Sequence, residues 1–151
     1  MFLLRSTVIA GAFILLGLST GCVVVKEYTQ PEEKITAPPE EHKLARALLT
    51  AFVKNDAKTF VSLLPEETRK NFTEESFAAT RKAVTESVGE PYSFTYVTTL
   101  KLTALNPQIW KVGFKRSNVN NTREYTSEVL FKVITGMSSK KEAVITGFHF
   151  L

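Results

Sequence analysis

The chain has 151 residues, which is enough for one ordinary domain and a further segment. Hydrophobic residues make up 44% of it, including 11 phenylalanines, so a disordered chain is excluded and a packed core is expected. The net charge of +4 comes from basic residues scattered among acidic ones, and no basic stripe points to nucleic acid. One cysteine and two histidines exclude an internal disulfide and a structural zinc site, and we expect no cofactor.

Residues 1–21 have the organisation of an export signal. A single charge, Arg5, precedes a twelve-residue apolar run from Thr7 to Leu18, and this run is too short to cross a hydrocarbon core of about 30 Å. Small residues then lead to Cys22, the only cysteine. From Leu18 to Cys22 the segment resembles the signal of bacterial lipoproteins. The resemblance implies cleavage before Cys22 and transfer of a diacylglyceryl group to its thiol, and two or more acyl chains anchor a protein stably.

Two other interpretations of this segment remain open. If the valines after Cys22 extend the apolar run, residues 7–25 approach the length of a membrane span with Arg5 on the cytoplasmic side. Simple secretion with a free thiol is the other interpretation. Under the lipoprotein interpretation, the protein is exported and membrane-anchored. Val23 stands where an Asp would favour inner-membrane retention, which favours the outer membrane in a cell with two membranes.

The rest of the chain divides into a tether and a domain. Residues 22–39 comprise Cys22 and a proline-containing stretch without sustained periodicity, which predicts an extended linker. Residues 40–151 carry the periodic patterns of a folded domain. We therefore predict a signal peptide over 1–21, a lipidated linker over 22–39 and one domain over 40–151.

The first half of this domain has the patterns of helices. Apolar residues recur at steps of three and four over residues 40–54, which predicts an amphipathic helix. Asp56 is expected to cap a second, short helix. A third helix is expected to begin at Thr73 and to end at Gly89.

Beyond Pro91 the apolar residues alternate with polar ones, as in half-buried strands. The pattern predicts a long first strand that continues to Thr103 and a turn at Asn106-Pro107. Three further strands are expected over residues 110–115, 125–134 and 143–151. The predicted fold class is therefore α+β, with three N-terminal helices packed on one face of a curved four-stranded antiparallel sheet.

This order of elements resembles the NTF2-like, cystatin-like cone fold, and in particular small secreted lipoproteins of that superfamily with no assigned activity. The resemblance covers residues 40–151. The segments that carry it are 47–52, 55–56, 60–64 and 145–150. It implies that any site lies between the concave face of the sheet and the first helices.

Enzymes with this fold pair an Asp base with a Tyr donor, or use a His–Asp pair. The only aspartate here, Asp56, is interpreted as a helix cap. His149 has the parity opposite to its phenylalanine neighbours and is expected to face solvent, and His42, just after the linker, is expected to be exposed. The sequence therefore provides no recognisable catalytic set and no metal site.

Aromatic residues on the strands could fill the cone or line a ligand cavity. The candidate pocket residues are Tyr96, Trp110, Phe114, Tyr125 and Glu128. Glu128 lies in the middle of a strand, and its simpler interpretation is an outer-face residue paired with a lysine on the neighbouring strand.

These patterns favour a non-enzymatic binding or interaction module that is attached to a membrane by lipid. Its expected partner is an envelope protein or a small ligand, and a homodimer through the outer face of the sheet is one expected assembly. The alternative is a cone-fold enzyme, isomerase- or dehydratase-like, that acts on a small apolar substrate with Glu128 or Asp56 as its base.

Overall fold

A computed structural model describes residues 34–117 and 123–151. The predicted signal peptide, Cys22 and the linker up to residue 33 lie outside the described residues, as do residues 118–122 of the predicted loop after the second strand. Within the described residues, four helices precede four strands. The helices are α1 (Pro39–Val53), α2 (Ala57–Ser62), α3 (Glu66–Arg69) and α4 (Glu74–Val88). The strands are β1 (Glu90–Thr99), β2 (Leu105–Ser117), β3 (Glu124–Met137) and β4 (Ala143–Phe150).

The four strands form one antiparallel sheet in the order β1-β2-β3-β4. Irregularities in the register of β1 and between β3 and β4 bend the sheet, because an extra residue in one strand increases local twist. The four-stranded antiparallel meander that the sequence predicts is therefore confirmed. The helices cover one face of this sheet, with α1 in contact with β1, β3 and β4.

Helix α1 matches the predicted helix over residues 40–54 to within one residue. Pro39 occupies its first turn, where the missing N–H costs no hydrogen bond. The apolar stripe is buried against the sheet, with Leu48, Leu49 and Phe52 almost fully covered. Periodicity alone therefore located this helix and its inward face correctly.

Both predicted ends of α4 are also confirmed. The Thr73 hydroxyl accepts a hydrogen bond from the Ser76 N–H at 3.3 Å and caps the first turn. Gly89 follows the last turn with φ of 108°. A Cβ at this position would lie 2.5 Å from the carbonyl oxygen of Lys115, so only glycine fits where the helix meets the sheet.

The expectation of three helices is wrong by one, because α3 forms a separate turn after Pro65. Its N-terminal acids and Arg69 in its last turn suit a helix dipole. The Arg69 N–H donates to the Pro65 carbonyl at 3.0 Å. A helix of four residues is shorter than the repeat that periodicity needs, so the pattern could not reveal it.

The predicted extent of the first strand and the predicted turn are wrong. Strand β1 ends at Thr99, and both Asn106 and Pro107 lie within β2. The Leu100 N–H donates to the Pro107 carbonyl at 2.8 Å, and the hairpin reverses further along, before Leu105. The alternation of apolar residues runs past the end of the strand into the hairpin, where the Leu100 and Leu102 N–H groups still donate to residues of β2.

A buried polar network joins the first turn of α1 to the sheet. The Glu41 carboxylate, 1% exposed, accepts from the Asn106 amide at 3.0 Å to each oxygen and from the Thr135 hydroxyl at 2.6 Å. The Gln108 amide in turn donates to the Thr135 hydroxyl at 3.2 Å. Because a buried carboxylate is tolerated only with such donors, this network fixes α1 against β2 and β3.

The expectation that His42 is exposed is wrong, since its side chain is 7% exposed. Its ring stacks on Trp110 with centroids 5.0 Å apart and meets the edge of Tyr96 at 5.0 Å. The first turn of α1 packs directly on the sheet and carries His42 inward with Glu41. Nearness to the linker in sequence therefore did not mean exposure.

The network around Glu41 gives a stability prediction. Glu41→Ala leaves the Asn106 amide and the Thr135 hydroxyl buried without this acceptor, so we expect a loss of about 2–3 kcal/mol in the free energy of unfolding by urea. Glu40→Ala is the matched control, because Glu40 lies in the same helical turn but is exposed, and it should change stability by about 0.5 kcal/mol or less. Equal losses in the two variants would contradict this account.

A phenylalanine-lined pocket as the candidate functional site

A cavity of about 270 Å³ opens between the helices and strands β3 and β4. Its wall is almost entirely aromatic. The lining phenylalanines are Phe52, Phe60, Phe72, Phe77, Phe131, Phe148 and Phe150. We call this cavity the phenylalanine pocket.

Alternation along β4 supplies one wall of the phenylalanine pocket. Phe148 and Phe150 are separated by one residue and so point to the same face of the sheet, toward the helices. Phe150 pairs with Phe131 on β3, and their ring centroids lie 4.7 Å apart. Phe148 and Phe60 from α2 form a T-shaped contact with their ring centroids 5.2 Å apart.

The opposite wall comes from helices α1, α2 and α4. Phe60 packs on Phe77 with centroids 4.8 Å apart, and Phe52 stacks on Phe131 at 6.1 Å. Arg81 connects α4 to the end of α1, because its Nε donates to the Phe52 carbonyl at 3.1 Å and its guanidinium lies 5.9 Å from the Phe52 ring. A salt bridge of 3.0 Å to Glu90 holds the same guanidinium. The walls are therefore held by backbone and ring contacts on several elements.

Two polar side chains, Thr80 on α4 and His149 on β4, complete the lining, and both are exposed. In the part of the chain that the structure describes, no carboxylate lines this pocket. The phenylalanine rings suit the binding of an apolar molecule, which they would hold by burial of its surface and by dispersion. The Thr80 hydroxyl and the His149 imidazole are available for one polar group of such a molecule. Proton abstraction would depend on the imidazole alone.

The five residues that the sequence singled out for a pocket do not line the phenylalanine pocket. Tyr96, Trp110 and Phe114 are buried in the core, and Tyr96 meets Trp110 edge-on at 5.3 Å. Tyr125 is 55% exposed near the start of β3. The residues that do form the pocket are split between helices and the last strand. The signal that could have found them is the inward parity of Phe148 and Phe150.

Glu128 lies on the outer face of the sheet, where its carboxylate forms a 3.0 Å salt bridge with Lys111. Both side chains are substantially exposed. This arrangement is the one predicted by the simpler interpretation of Glu128 as an outer-face residue. It places this carboxylate away from the phenylalanine pocket.

Asp56 caps α2, because its Oδ1 accepts from the Thr59 N–H at 3.0 Å. Hydrogen bonds from the Thr59 side chain and then from its backbone hold the pKa of Asp56 below its ordinary value of 3.8. The carboxylate is exposed and lies outside the pocket lining. The predicted cap is confirmed, and the position does not offer a base to a bound molecule.

In residues 34–117 and 123–151, no three His, Cys, Asp or Glu side chains are grouped in a way that could hold a metal ion. None of the helices in those ranges has the length and apolar character needed to span a membrane. The predicted lipidation site, Cys22, lies outside them.

Comparison with solved structures relates this architecture to known folds. A ketosteroid isomerase-like protein from Erwinia carotovora atroseptica SCRI1043 superimposes with a TM-score of 0.52 at 11% identity, over 72% of this chain and 90% of that one. A candidate SnoaL-like polyketide cyclase from Shewanella denitrificans OS-217 superimposes with a TM-score of 0.48 at 13% identity, over 76% of this chain and 90% of that one. An uncharacterised cystatin-fold protein from Novosphingobium aromaticivorans superimposes with a TM-score of 0.46 at 10% identity, over 76% of this chain and 99% of that one. No protein-family model and no curated protein matches the chain in sequence.

The described domain therefore has an NTF2-like α+β fold: a curved four-stranded antiparallel sheet with helices on one face. At 11% identity the likeness concerns the fold and carries no residue roles. The phenylalanine pocket lies between the sheet and the helices, which is where the sequence resemblance placed a site.

The cap at Asp56 gives a pH prediction. Because the pKa of Asp56 is lower in the folded chain, its contribution to stability is full above its ordinary value of 3.8 and is lost as the pH falls through the lower folded value. Asp56→Asn keeps a capping oxygen but does not titrate. We expect wild type to lose stability relative to Asp56→Asn as the pH falls below that range, measured by urea unfolding. A constant difference between the two proteins at every pH would contradict the cap.

Proposed function

We propose that this protein is a lipid-anchored protein of the cell envelope whose NTF2-like domain binds a small apolar molecule without transforming it. The observation that carries the binding half is the phenylalanine pocket, with seven phenylalanines and two exposed polar residues in its lining. The anchoring half rests on the sequence that ends at Cys22. The two halves rest on different residues and are tested separately.

The size and lining of the pocket suggest the class of ligand. Its volume of about 270 Å³ lies near the lower end of small-molecule sites, which span about 300–1,000 Å³. A charged group would lose its hydration among phenylalanine rings without gaining a partner. The expected ligand is therefore compact and uncharged, with an aromatic or aliphatic body and at most one polar group directed to Thr80 or His149.

Binding accounts for the pocket better than catalysis does. The alternative, an isomerase- or dehydratase-like enzyme, needs a base within reach of a substrate proton. The two candidate bases that the sequence predicts have other roles. Asp56 caps helix α2, and Glu128 forms a salt bridge on the surface of the sheet. Among the described residues that line the pocket, His149 is the one whose side chain could move a proton.

The anchor determines where binding takes place. Cleavage before Cys22 and acylation of its thiol would leave the domain outside the cytosol on a tether, and Val23 favours the outer membrane in a cell with two membranes. An envelope protein is the alternative partner. A homodimer through the outer face of the sheet is compatible with either.

Ligand binding is tested by blocking the mouth of the pocket. Thr80→Phe places a ring at the rim without touching the buried core, and we expect it to weaken binding of the uncharged fluorophore phenylnaphthylamine by about tenfold or more. The measurement is a fluorescence titration of the chain from residue 22 with Cys22→Ser, which avoids detergent micelles.

Ala79→Phe is the matched control, since Ala79 is exposed on the same helix but does not line the pocket. It should leave the affinity within about twofold of the parent value. Saturable binding that is equally weakened by both substitutions, or no saturable binding in the parent protein, would refute the proposed pocket.

The anchor is tested by mass spectrometry of the N-terminus of protein extracted from membranes. We expect wild type to begin at Cys22 with the added mass of at least two acyl chains, because thiol modification precedes cleavage in this kind of export. Cys22→Ala should remain uncleaved and begin at Met1. A wild-type chain with a bare thiol at Cys22 would refute the anchor and leave the pocket unaffected.

A further inference from the structure

The hairpin that joins β1 to β2 exposes three leucines to solvent. Leu100, Leu102 and Leu105 are 52%, 59% and 36% exposed. The sequence pattern predicted Leu100 and Leu102 on the half-buried face of a strand, so this exposure is unexpected. We call these three residues the leucine tip.

The hairpin geometry places the three leucines of the tip on the outer side of the sheet. The Leu100 N–H donates to the Pro107 carbonyl at 2.8 Å, and the Leu102 N–H donates to the Leu105 carbonyl at 3.0 Å, so the ladder continues to the turn. Thr99 is buried on the inner side, and alternation therefore directs Leu100 and Leu102 outward. Leu105 faces Leu102 across the hairpin and shares its side.

The described chain begins at the same end of the sheet as the leucine tip. The hydroxyls of Thr36 and Tyr96 are 2.8 Å apart, and the Tyr96 hydroxyl lies 2.6 Å from that of Thr99, the residue before Leu100. Ile35, next to Thr36, is 47% exposed. The segment that leads back to the predicted anchor therefore leaves the domain at the end that carries exposed apolar side chains.

The length of the tether limits how far this end can be from a membrane. Lys34 lies twelve residue steps beyond Cys22, and at about 3.3–3.6 Å per step this stretch reaches at most about 43 Å. We propose that the leucine tip inserts into the interfacial layer of the membrane that holds the acyl chains of Cys22. This inference rests on the proposed lipid anchor.

The chemistry of the leucine tip suits an anionic lipid surface. Leucine side chains partition into the boundary between headgroups and acyl chains, and Lys34 and Lys101, both exposed, supply positive charge at the same end. A second copy of the chain is a poorer occupant. Three partly exposed leucines present far less accessible surface than the roughly 1,200 Å² that a stable protein interface buries.

The test measures the depth of a label at the leucine tip. Full-length protein with Leu102→Cys is purified from membranes, labelled with the fluorophore NBD and added to preformed vesicles of phosphatidylethanolamine and phosphatidylglycerol. Acylation blocks the only native thiol, so the label attaches to residue 102 alone. The control is Thr126→Cys. Thr126 is exposed on the outer side of β3 and pairs with Lys115 of β2, which lies about 33 Å along that strand from Leu105.

We expect vesicles to shift NBD emission at residue 102 to the blue and to slow its quenching by aqueous dithionite at least about fivefold relative to residue 126. Equal quenching at the two positions in acylated protein overturns the membrane contact and leaves the anchor intact. Protection at residue 102 that appears without vesicles and rises with protein concentration also overturns it, because a second copy then covers the tip. Mass spectrometry of the same sample reports acylation, and an unacylated chain refutes both anchor and contact.

Discussion

The buried carboxylate of Glu41 is the constraint on which the arrangement of this domain depends. Its bonds to Asn106 and Thr135 join the first turn of α1 to two strands at one end of the sheet. A helix is stiff, so fixing one end also fixes the other, and Phe52 lies eleven residues and about 16 Å further along α1. Phe52 is a wall of the phenylalanine pocket. The polar contact at one end of the helix thus helps to position one wall of an apolar cavity near its other end.

The same aromatic rings belong to the core and line the phenylalanine pocket. Phe60 and Phe77 are almost fully buried, yet both line the phenylalanine pocket. Burial of such rings supplies much of the stability of a domain this size. The domain therefore combines a packed interior with space for a small molecule, and the polar groups that might have served chemistry are used in capping, surface pairing and the Glu41 network.

Local sequence patterns predicted what depends on neighbouring residues. The stripe of Leu48 and Phe52 located α1, and the hydroxyl of Thr73 together with Gly89 located both ends of α4. These features are determined within one or two turns of chain, where spacing and capping chemistry suffice.

What the sequence did not reveal depends on distant partners. The burial of His42 requires Trp110, which lies on another element far along the chain. Strand β1 ends at Thr99, where its regular pairing with β2 gives way to the hairpin, and the alternation that continues through Leu100 and Leu102 does not mark that end. The candidate site was assigned to the strands because aromatic alternation is visible there, whereas the pocket also needs Phe60 and Phe77 from helices whose placement no local pattern fixes.

Among the strands that the structure describes, β4 is at an edge of the sheet and is hydrogen-bonded to β3 alone. It also carries Phe148 and Phe150, two of the rings that enclose the phenylalanine pocket. A strand with one neighbour costs less to detach than one with two. If the pocket binds a small molecule as proposed, we expect that molecule to enter and leave through transient fraying of this edge strand, at a rate set by how firmly that margin of the sheet is held.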